Sequence, residues 1–490
     1  MQPTILETDY LVIGSGAMGM AFVDTLLTET DATVMLVDHH HRPGGHWNNA
    51  YSFVRLHQPS VTYGVNSRAL GQANKDRVGL NQGLFELASG AEVLHYFDQV
   101  MNQQFLPSGR VQHFPMCSFE GFESSESSEG SESSEGSEGG EGGEGGEARF
   151  RSITSGQLHR VRVKRKLVLA NRLSTRVPAT HPPQYSVAPG MRCVPPNELP
   201  RIQAPPSGYV VVGAGKTAMD AVLWLLGQGV QPDSVRWIMP RDSWLVDRAN
   251  MQPVAEFFSQ SFGSVAAQLQ AVVDATSMPD LYHRLEAAGQ LLRIDPKVEP
   301  TMYHCATVSQ AELAQLRRIQ NVVRLGRVQH IEPDRIVLQH GSIPTDASVL
   351  HIDCSASAIE PKPAVPVFEG PQITLQTVRG CQPVFSAALI AKVESSSAEE
   401  ARKNELCTVV PLPGPGLMWL ELLAANMANQ HRWMRDEGLA KWLVASRLDS
   451  FSAVARSVPE SDTENRALLA RIRALGGEAR GRMAMLLACR

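Results

Sequence analysis

The chain has 490 residues, of which 43% are hydrophobic, so it is long enough to build two domains with cores of their own. Its net charge of −5 and the lack of a basic cluster argue against a nucleic-acid-binding protein. No apolar run approaches the roughly 20 residues of a membrane-spanning helix, and the N-terminus lacks a signal-peptide pattern, so we expect a cytoplasmic protein without a membrane span.

The first motif in chain order is a glycine-rich loop between a strand and a helix. The apolar run Tyr10-Leu-Val-Ile13 precedes Gly14-Ser-Gly16-Ala-Met-Gly19. The first glycine allows a tight turn, the second lets the backbone approach a pyrophosphate, and the third lets the helix pack close to the strand. The pattern predicts a dinucleotide site at Gly14, Gly16 and Gly19, although a plain strand–turn–helix with packing glycines also fits.

A second buried strand, Ala32-Thr-Val-Met-Leu-Val-Asp38, ends in an acid about 20 residues past the glycines. A carboxylate in that place accepts hydrogen bonds from an adenosine ribose and repels a 2′-phosphate. Asp38 therefore indicates FAD or NAD at the first site. The neighbouring His39-His40-His41 run does not predict a metal site, because adjacent histidines on one loop rarely converge on one ion.

Residues 119–147 form a low-complexity segment of glutamate, serine and glycine. It holds ten glutamates, one at every third position, and no lysine or arginine; without them the rest of the chain carries +5 (−5 + 10). Such a segment cannot bury apolar surface, so we expect a disordered insert between two strands. An acidic segment that recruits a basic partner is the alternative.

The second motif is another glycine loop, about 200 residues further along the chain. Tyr209-Val-Val-Val212 precedes Gly213-Ala-Gly215-Lys-Thr-Ala218, and the next strand ends at Arg241. Arginine stands where an acid would select NAD, and a guanidinium suits a phosphate in shape and charge. We therefore expect NADP at Gly213, Gly215 and Ala218, with Arg241 on the 2′-phosphate. The alternative is a solvated Arg241 beside Asp242.

Lys216, inside the second loop, is expected to lie on the NADP pyrophosphate as a point charge, or else in solvent. Two dinucleotide sites in one chain usually mean that electrons pass between them, so the sequence predicts an oxidoreductase.

The cysteines are scattered, with no C-x-x-C or other close pair. This spacing predicts neither a disulfide framework nor a zinc site, and it fits a reducing compartment. It also argues against the dithiol reductases that use two dinucleotides. The seven cysteines are Cys117, Cys193, Cys305, Cys354, Cys381, Cys407 and Cys489.

The stretch after Asp38 resembles a known family. Gly44-Gly45-His-Trp47 follows Asp38, and Trp47-Asn-Asn-Ala-Tyr51-Ser-Phe-Val-Arg55-Leu-His57 is similar to the pattern W-x-x-x-Y-P-x-x-R-x-D. These motifs are typical of flavin-containing and Baeyer–Villiger monooxygenases, the class B flavoprotein monooxygenases. Arg55 matches the family arginine, His57 stands in place of the aspartate, and Tyr63 falls on a later family tyrosine.

The resemblance implies an α/β fold with two Rossmann-like dinucleotide-binding domains, the NADP domain being inserted in the FAD domain, followed by a helical C-terminal region. The expected boundaries are 1–118, 148–206 and 325–416 for the FAD-binding domain, 207–324 for the NAD(P)-binding domain and 417–490 for the helical region.

The resemblance also implies FAD and NADPH as cofactors, and a flavin C4a-peroxide that passes oxygen from O₂ to a small organic substrate. Gly44 and Gly45 run close to the FAD phosphates, and Trp47 and Tyr63 pack near the flavin. Arg55 is expected to stabilise negative charge, and His57 to donate a proton because histidine titrates nearest neutrality. A structural hydrogen bond is the alternative for His57.

The chain departs from the family before the second loop. The fingerprint F-x-G-x-x-x-H-x-x-x-[WY] is replaced by residues 185–200, which contain no histidine. Three function classes therefore stay open: a monooxygenase, an NAD(P)H oxidase or reductase that uses the same cofactors, and a nucleotide-binding protein with decayed motifs. The sequence does not indicate the substrate or the oligomeric state.

Overall fold

The computed structural model describes residues 5–124, 145–173, 175–252, 255–356, 362–412, 414 and 416–488. Most of the predicted acidic insert, residues 125–144, therefore lies outside the described residues.

The strands are short and distributed along the first three-quarters of the chain. They are β1 (Leu6–Ile13), β2 (Val34–Val37), β3 (Val111–Phe114), β4 (Cys117–Ser124), β5 (Gly146–Ser152), β6 (Leu158–Leu169), β7 (Ser186–Val187), β8 (Arg192–Val194), β9 (Gly208–Val212), β10 (Val235–Ile238), β11 (Ser243–Asp247), β12 (Leu291–Leu292), β13 (Met302–Val308), β14 (Val322–Val323), β15 (Val328–Ile331), β16 (Arg335–Leu338), β17 (Gly341–Pro344), β18 (Val349–Asp353), β19 (Phe368–Glu369) and β20 (Gln372–Thr374).

The helices alternate with strands at first and then dominate the end of the chain. They are α1 (Ala17–Glu29), α2 (Gly90–Val100), α3 (Lys216–Gly227), α4 (Phe258–Asp274), α5 (Met278–Ala287), α6 (Gln310–Leu316), α7 (Pro383–Glu394), α8 (Glu400–Leu406), α9 (Trp419–Arg435), α10 (Glu437–Ala445), α11 (Ser450–Arg456) and α12 (Thr463–Ala488).

The first sheet has the order β19-β20-β6-β1-β2-β3. Strand β1 runs parallel to β2 and β6, and β20 runs parallel to β6. Every residue of β2 is buried, which is typical of a parallel sheet covered on both faces. The carboxyl ends of β1, β2, β6 and β20 therefore meet at one edge, where doubly wound sheets bind ligands.

Strands β4 and β5 form the antiparallel pair that was expected around the acidic insert. The pairing extends to Ser124 and Gly146, so both ends of the segment predicted to be disordered are ordered strand. Phe122 and Ala148 lie opposite each other in this strand pair, and the backbone pairing continues beyond them to Ser124 and Gly146.

The second sheet is fully parallel, in the order β14-β10-β9-β18-β8. Strands β8 and β18 lie outside the predicted NAD(P)-binding domain, 207–324, so the domain that contains this sheet is larger than expected and spans roughly 186–353. We call this domain the second unit, and the domain built on the first sheet the first unit. The sequence-based boundary was wrong because hydrophobic periodicity identifies a strand but not the sheet in which it pairs.

Strands β15 to β17 were expected to return to the first domain, and the structure corrects this. They join β7 in a four-stranded sheet whose apolar side chains, including Ile331 and Ile336, pack against Val210 and Ile238 of the second sheet. The segment is thus a second layer of the second unit.

Helices α4, α5, α9 and α12 share one apolar cluster with the three-stranded sheet β12-β11-β13. The predicted helical C-terminal region is confirmed, as are the two Rossmann-like sheets. In the described part of the chain, no helix combines the length and apolarity that crossing a membrane would need.

Candidate functional site

The first glycine loop joins β1 to α1 at the carboxyl edge of the first sheet. Gly14 has φ +108°, a conformation that side chains other than glycine rarely adopt. A Cβ on Gly19 would lie 1.9 Å from the Gly14 carbonyl oxygen, so the fold itself requires glycine there. Gly16 differs, because its φ of −70° suits any residue and the nearest atom to an added Cβ is 3.5 Å away. A Cβ at Gly16 would be in ordinary van der Waals contact with Gly45, so neither the backbone conformation nor the packing of the protein requires glycine there.

The Gly44-Gly45 pair lies directly against this loop. Both residues have positive φ, +119° and +57°, and the Gly44 N–H donates to the Ser15 carbonyl oxygen at 2.9 Å. A Cβ on Gly45 would lie 3.0 Å from the Gly16 Cα. The predicted phosphate loop and the predicted Gly-Gly motif therefore form one backbone cradle at the start of α1.

Asp38 is buried at the end of β2 and points to the same loop. Its Oδ2 accepts from the Ser15 N–H at 2.6 Å and from the Ser15 hydroxyl at 3.0 Å, while Oδ1 accepts from the His40 N–H at 2.8 Å. Burial opposes ionisation, but the hydrogen bonds from His40 and Ser15 outweigh it and hold the pKa of Asp38 below its usual range. The carboxylate is held charged beside the cradle.

Asp38, His39 and His40 also offer ligand atoms within 4.8 Å of one another. Both ring nitrogens of His40, however, have hydrogen-bond partners, since Nδ1 lies 2.9 Å from the Asp38 Oδ1 and Nε2 lies 3.1 Å from the Asn49 Nδ2. We interpret the group as support for Asp38. Sequence reasoning missed Ser15 and His40 as its partners.

The structure brings Trp47 and Tyr63 into direct contact. The Trp47 indole N–H donates to the Tyr63 hydroxyl oxygen at 2.8 Å, and the rings meet edge to face at 6.1 Å. The Tyr63 ring packs on Phe97. The backbone carbonyl oxygen of Tyr63 accepts a hydrogen bond at 2.9 Å from Arg447 in the helical C-terminal region. This aromatic pair is thus fixed from both sides.

Arg55 lies on the surface of the site. One of its guanidinium N–H groups donates to the Leu87 carbonyl oxygen at 2.9 Å, and its positive charge is one of the influences that lower the pKa of Glu92. The side chain is exposed, so it is accessible to an anion.

His57 faces the second unit, where the Thr307 N–H lies 3.4 Å from its Nδ1. Burial and then the positive charges of Lys216 and Arg248 lower the pKa of His57 to about 3. The ring is therefore neutral at neutral pH, which corrects the expectation of a proton donor that titrates near pH 7. The expectation erred because sequence reasoning could not place two cations from the second unit beside this ring.

The second glycine loop has the same backbone pattern as the first: a first glycine with positive φ and a second glycine with an ordinary φ. Gly213 has φ +128°, and a Cβ there would lie 2.5 Å from the Cys354 carbonyl oxygen, so the fold requires this glycine. Gly215 has φ −86° and nothing within 4 Å of an added Cβ. Ala218 is fully buried where α3 packs against the sheet. Space for a phosphate is again left at the second glycine.

Lys216 is partly buried at the start of α3. Its ammonium group forms a close ion pair with Asp220 one turn later in α3, since residues four apart on a helix face lie side by side. Asp220 also accepts from the Tyr51 hydroxyl at 2.6 Å, so the pair is tied to the first unit. A contact of Lys216 with a pyrophosphate stays a prediction.

Arg241 lies beyond the end of β10, exposed and beside further basic groups. The pKa of Arg241 is lowered, mainly by partial burial and to a smaller extent by the positive charge of Arg327. The pKa of His304 is also lowered, mainly by burial and to a smaller extent by the positive charge of Arg241. Asp242 does not balance Arg241, because its carboxylate is held by Arg324 at 2.8 and 3.0 Å. Among the described residues, Arg241 and Arg327 form no ion pair, which leaves an uncompensated positive patch.

Arg248 is a fully buried cation that sequence reasoning missed. It donates to the His57 carbonyl oxygen at 3.2 Å, to the Asn81 Oδ1 at 2.9 Å and to the Glu312 Oε2 at 2.6 Å. It thereby joins the loop that contains His57 to β13 and α6. The signal available in the sequence was weak, since Arg248 simply follows an apolar strand.

Cys305 and Cys381 are joined in a disulfide, with their Cα atoms 6.1 Å apart. The sequence predicted no disulfide framework, because no two cysteines lie close together along the chain, and this single long-range pair was not expected. The two residues are 76 positions apart in sequence, and only the packing of β13 against the loop before α7 brings them together.

Comparisons with known proteins agree with this architecture. Residues 12–74 match the NAD(P)-binding Rossmann-like domain family. The chain is 52% identical over 444 residues to "Uncharacterized protein Rv2000" of Mycobacterium tuberculosis, a match that covers 91% of this chain and 78% of the relative. "Uncharacterized protein Mb2023" of Mycobacterium bovis matches with the same identity and coverage.

Among solved structures, the open crystal structure of cyclohexanone monooxygenase is similar, with a TM-score of 0.51 and 13% identity over 89% of this chain and 98% of that chain. The structure of OTEMO in complex with FAD and NADP has a TM-score of 0.50 and 12% identity over 80% of this chain and 85% of that chain. From its 52% identity to the mycobacterial proteins, the chain belongs to the same family as they do, and it has the fold of the class B flavoprotein monooxygenases.

Proposed function

We propose that the protein is an FAD- and NADPH-dependent oxidoreductase that transfers oxygen from O₂ to a small organic substrate. One observation carries the proposal: two glycine loops, each at the carboxyl edge of its own parallel sheet, belong to units linked by the hydrogen bond from Tyr51 to Asp220. Two dinucleotide sites in adjoining units suit electron transfer from a nicotinamide to a flavin.

The first cradle suits FAD. Gly16 needs no glycine for its own conformation or packing, so the space there is explained by a ligand whose phosphates approach the backbone. Gly14, Gly19, Gly44 and Gly45 shape the cradle. We assign the adenosine ribose to Asp38, whose charged carboxylate would repel a 2′-phosphate. Trp47 and Tyr63 form the aromatic wall on the flavin side.

The second cradle suits NADPH. Gly213, Gly215 and Ala218 leave the open space at the start of α3. Arg241 and Arg327 provide positive charge without a carboxylate partner among the described residues, which favours a 2′-phosphate over a free ribose hydroxyl. Lys216 acts here through Asp220 and Tyr51, as a positioning residue.

Bound FAD supplies two-electron redox chemistry and, when reduced, reactivity with O₂. The chain's own residues would bind and orient the cofactors and the substrate, and would set the charge around them. Arg55 is the exposed cation that would stabilise negative charge at this site, and neutral His57 with Arg248 holds the loop against the second unit. The fold shared with cyclohexanone monooxygenase supports oxygen transfer as the reaction.

An NADPH oxidase is the second candidate, and one observation favours it. The pKa of His57 is lowered to about 3, so this ring carries no charge with which to donate a proton at neutral pH. The residues that replace the fingerprint also lack a histidine. Both features favour release of H₂O₂ over oxygen transfer.

The test is a stoichiometric one on the purified protein. We expect it to be yellow, to bind FAD tightly and to oxidise NADPH in air. In the presence of small ketones and sulfides, one oxygenated product per NADPH supports the monooxygenase, and one H₂O₂ per NADPH with every substrate supports the oxidase. A colourless protein that cannot be reconstituted with FAD would contradict both.

A further inference from the structure

The Cys305–Cys381 disulfide crosses from the second unit to the first. Cys305 lies in β13, and Cys381 lies in the loop that leads from β20 to α7. Strand β20 runs parallel to β6 and β1, so this loop leaves the same carboxyl edge as the first glycine loop. We assigned the adenosine ribose of FAD to Asp38, which lies at the end of β2, on one side of β1. The flavin part of FAD would then extend along the same edge of the sheet on the other side of β1, toward β6 and β20.

Cys381 is held in an unusual backbone conformation. Its φ of +62° lies in the left-handed region, which a cysteine rarely adopts without support from its surroundings. The preceding residues provide that support: the Gly380 N–H donates to Asn426 at 2.8 Å, and Arg379 pairs with Asp449 at 3.2 Å. Cys381 also precedes the first turn of α7, where free N–H groups stabilise a thiolate.

Cys305 is displaced from the ladder of its own strand. Between Tyr303 and Thr307, β13 has more residues than the facing stretch of β11, and Cys305 lies in this bulge. Bulges redirect a side chain, often beside a functional site. Thr307, two residues on, donates to the carbonyl oxygen of His57. The disulfide is therefore anchored on a strand that also contacts the candidate flavin-side loop.

We propose that Cys305 and Cys381 form a redox-active site that takes two electrons from NADPH by way of the bound flavin. The inference rests on the FAD and NADPH sites proposed above. In the overall step the S–S bond breaks, NADPH provides a hydride and solvent provides a proton: NADPH + H⁺ + RSSR gives NADP⁺ + 2 RSH. The reduced pair releases the covalent link between β13 and the loop before α7.

The test counts thiols in the FAD-loaded protein and does not depend on turnover. Air-oxidised protein is treated with NADPH without oxygen, quenched with iodoacetamide under denaturing conditions and digested. Mass spectrometry should find Cys305 and Cys381 unlabelled before NADPH and labelled after it, and unlabelled in FAD-free protein given NADPH. Anaerobic titration should consume about two NADPH per FAD, because flavin and disulfide are each two-electron couples.

Two variants sharpen the result. Cys305→Ser should lower the uptake to about one NADPH per FAD, since the disulfide couple is gone, and should leave Cys381 labelled from the start. Cys407→Ser, which removes a buried free cysteine, should behave like the native protein.

The outcomes separate this inference from the proposed function. If NADPH bleaches the flavin and both cysteines stay unlabelled, or if both are already labelled in air-oxidised protein, the inference fails and the proposed function stands. If NADPH does not bleach the flavin, the proposed function fails, and photoreduction of the bound flavin followed by labelling decides the inference. If no FAD binds, both fail.

Discussion

The four glycines that open the two loops are required for different reasons. Gly14 and Gly213 are fixed by positive φ, which belongs to the protein's own geometry. Gly16 and Gly215 have ordinary φ values; an added Cβ would make only ordinary contact with Gly45 at Gly16 and would meet nothing within 4 Å at Gly215. A side chain at either of the second pair should therefore leave the fold intact and block only the ligand.

We predict that Gly16→Val folds but loses FAD, and that Gly215→Val keeps FAD while its KM for NADPH rises about 10-fold or more, the loss expected from about 1.4 kcal/mol of binding energy. Flavin absorbance after gel filtration and NADPH oxidation rates measure the two effects. Gly19→Val is the contrasting variant, and it should fail to fold because its Cβ would overlap the Gly14 carbonyl. Retention of FAD by Gly16→Val would contradict the assignment of the first cradle.

Arg241 and Arg327 provide a test of coenzyme choice. We predict that the native protein prefers NADPH over NADH by about 10- to 100-fold in kcat/KM, as one charge-assisted phosphate contact of roughly 1.5–3 kcal/mol implies. Arg241→Ala and Arg327→Ala should each raise the KM for NADPH and barely change that for NADH. Arg236→Ala, in β10 itself, is the control, since that side chain donates to the Pro344 carbonyl oxygen. Equal use of both coenzymes by the native protein would show that Arg241 is only a surface charge.

The sequence predicted the residues whose role lies in the local backbone. The two strand–loop–helix units and the burial of Asp38 at the end of β2 follow from spacing and periodicity, whereas Trp47 and Tyr63 were named from the family resemblance. The surroundings of His57 could not be predicted, because Lys216 and Arg248 reach its ring from another unit. The Cys305–Cys381 pair could not be read from sequence, since no local spacing encodes a contact across 76 residues.

Among the elements, β11, β13 and α6 depend on the buried Arg248. Its partner Glu312 also closes the capping box of α6 with Ser309, so one carboxylate serves both a helix end and a buried cation. Removing only the cation would leave that carboxylate without its charge partner in a buried site.

We predict that Arg248→Met lowers the free energy of unfolding by about 3–5 kcal/mol, the usual cost of an unpaired buried charge. The double variant Arg248→Met with Glu312→Gln should recover roughly half of that loss, because glutamine is neutral and keeps the capping hydrogen bonds. Urea unfolding curves measure both. If the double variant is no more stable than Arg248→Met, the cost comes from lost packing and not from charge.

The segment from Gly44 to His57 contains two histidines that favour the neutral state. Burial, followed by nearby positive charges, lowers the pKa of His46 to about 4 and that of His57 to about 3. In the unfolded chain both rings titrate near pH 6.5, so below that value the unfolded state binds more protons. Their stabilising contribution is present above about pH 6.5 and is lost as the pH falls toward the folded-state values.

We therefore predict that His57→Asn makes the acid loss of stability shallower between about pH 6.5 and pH 4, by up to about 1.4 kcal/mol per pH unit. Unfolding free energies across this range, compared with the native protein, isolate the contribution of His57. The exposed His181 gives the matched control, and His181→Asn should leave the slope unchanged. An unchanged slope in His57→Asn would mean that the ring is not held neutral.

At the scale of the whole molecule, the second unit is an insertion between two strands of the first sheet. Strand β6 ends before it begins, and β20, which pairs with β6, follows after it ends. Helix α7 packs with α1 in the largest apolar cluster, and the Tyr10 hydroxyl donates to Glu394 at 2.9 Å. The first unit is thus closed by residues from both sides of the insertion, whereas the parallel sheet of the second unit comes from one continuous stretch of chain.

We predict that a chain ending at residue 356 still folds the parallel sheet of its second unit, because all five of its strands precede that residue. Hydrogen exchange should protect β9, β10 and β18, and α1 should exchange freely because α7 is missing. Adding residues 362–394 as a separate peptide should restore protection in α1 if that contact is what closes the first unit. Full protection of α1 in the truncated chain would contradict this account.

The insertion also sets an order of events during synthesis. While the ribosome produces the second unit, the edge of β6 that later pairs with β20 has no partner, and α1 has no α7 to cover its apolar face. At translation rates of about 5–20 residues per second, the roughly 200 intervening residues leave this edge open for tens of seconds. Open strand edges pair readily with other chains. The nascent protein is therefore most prone to aggregation before β20 and α7 emerge, so its yield in cells should depend on chaperones that bind N-terminal segments.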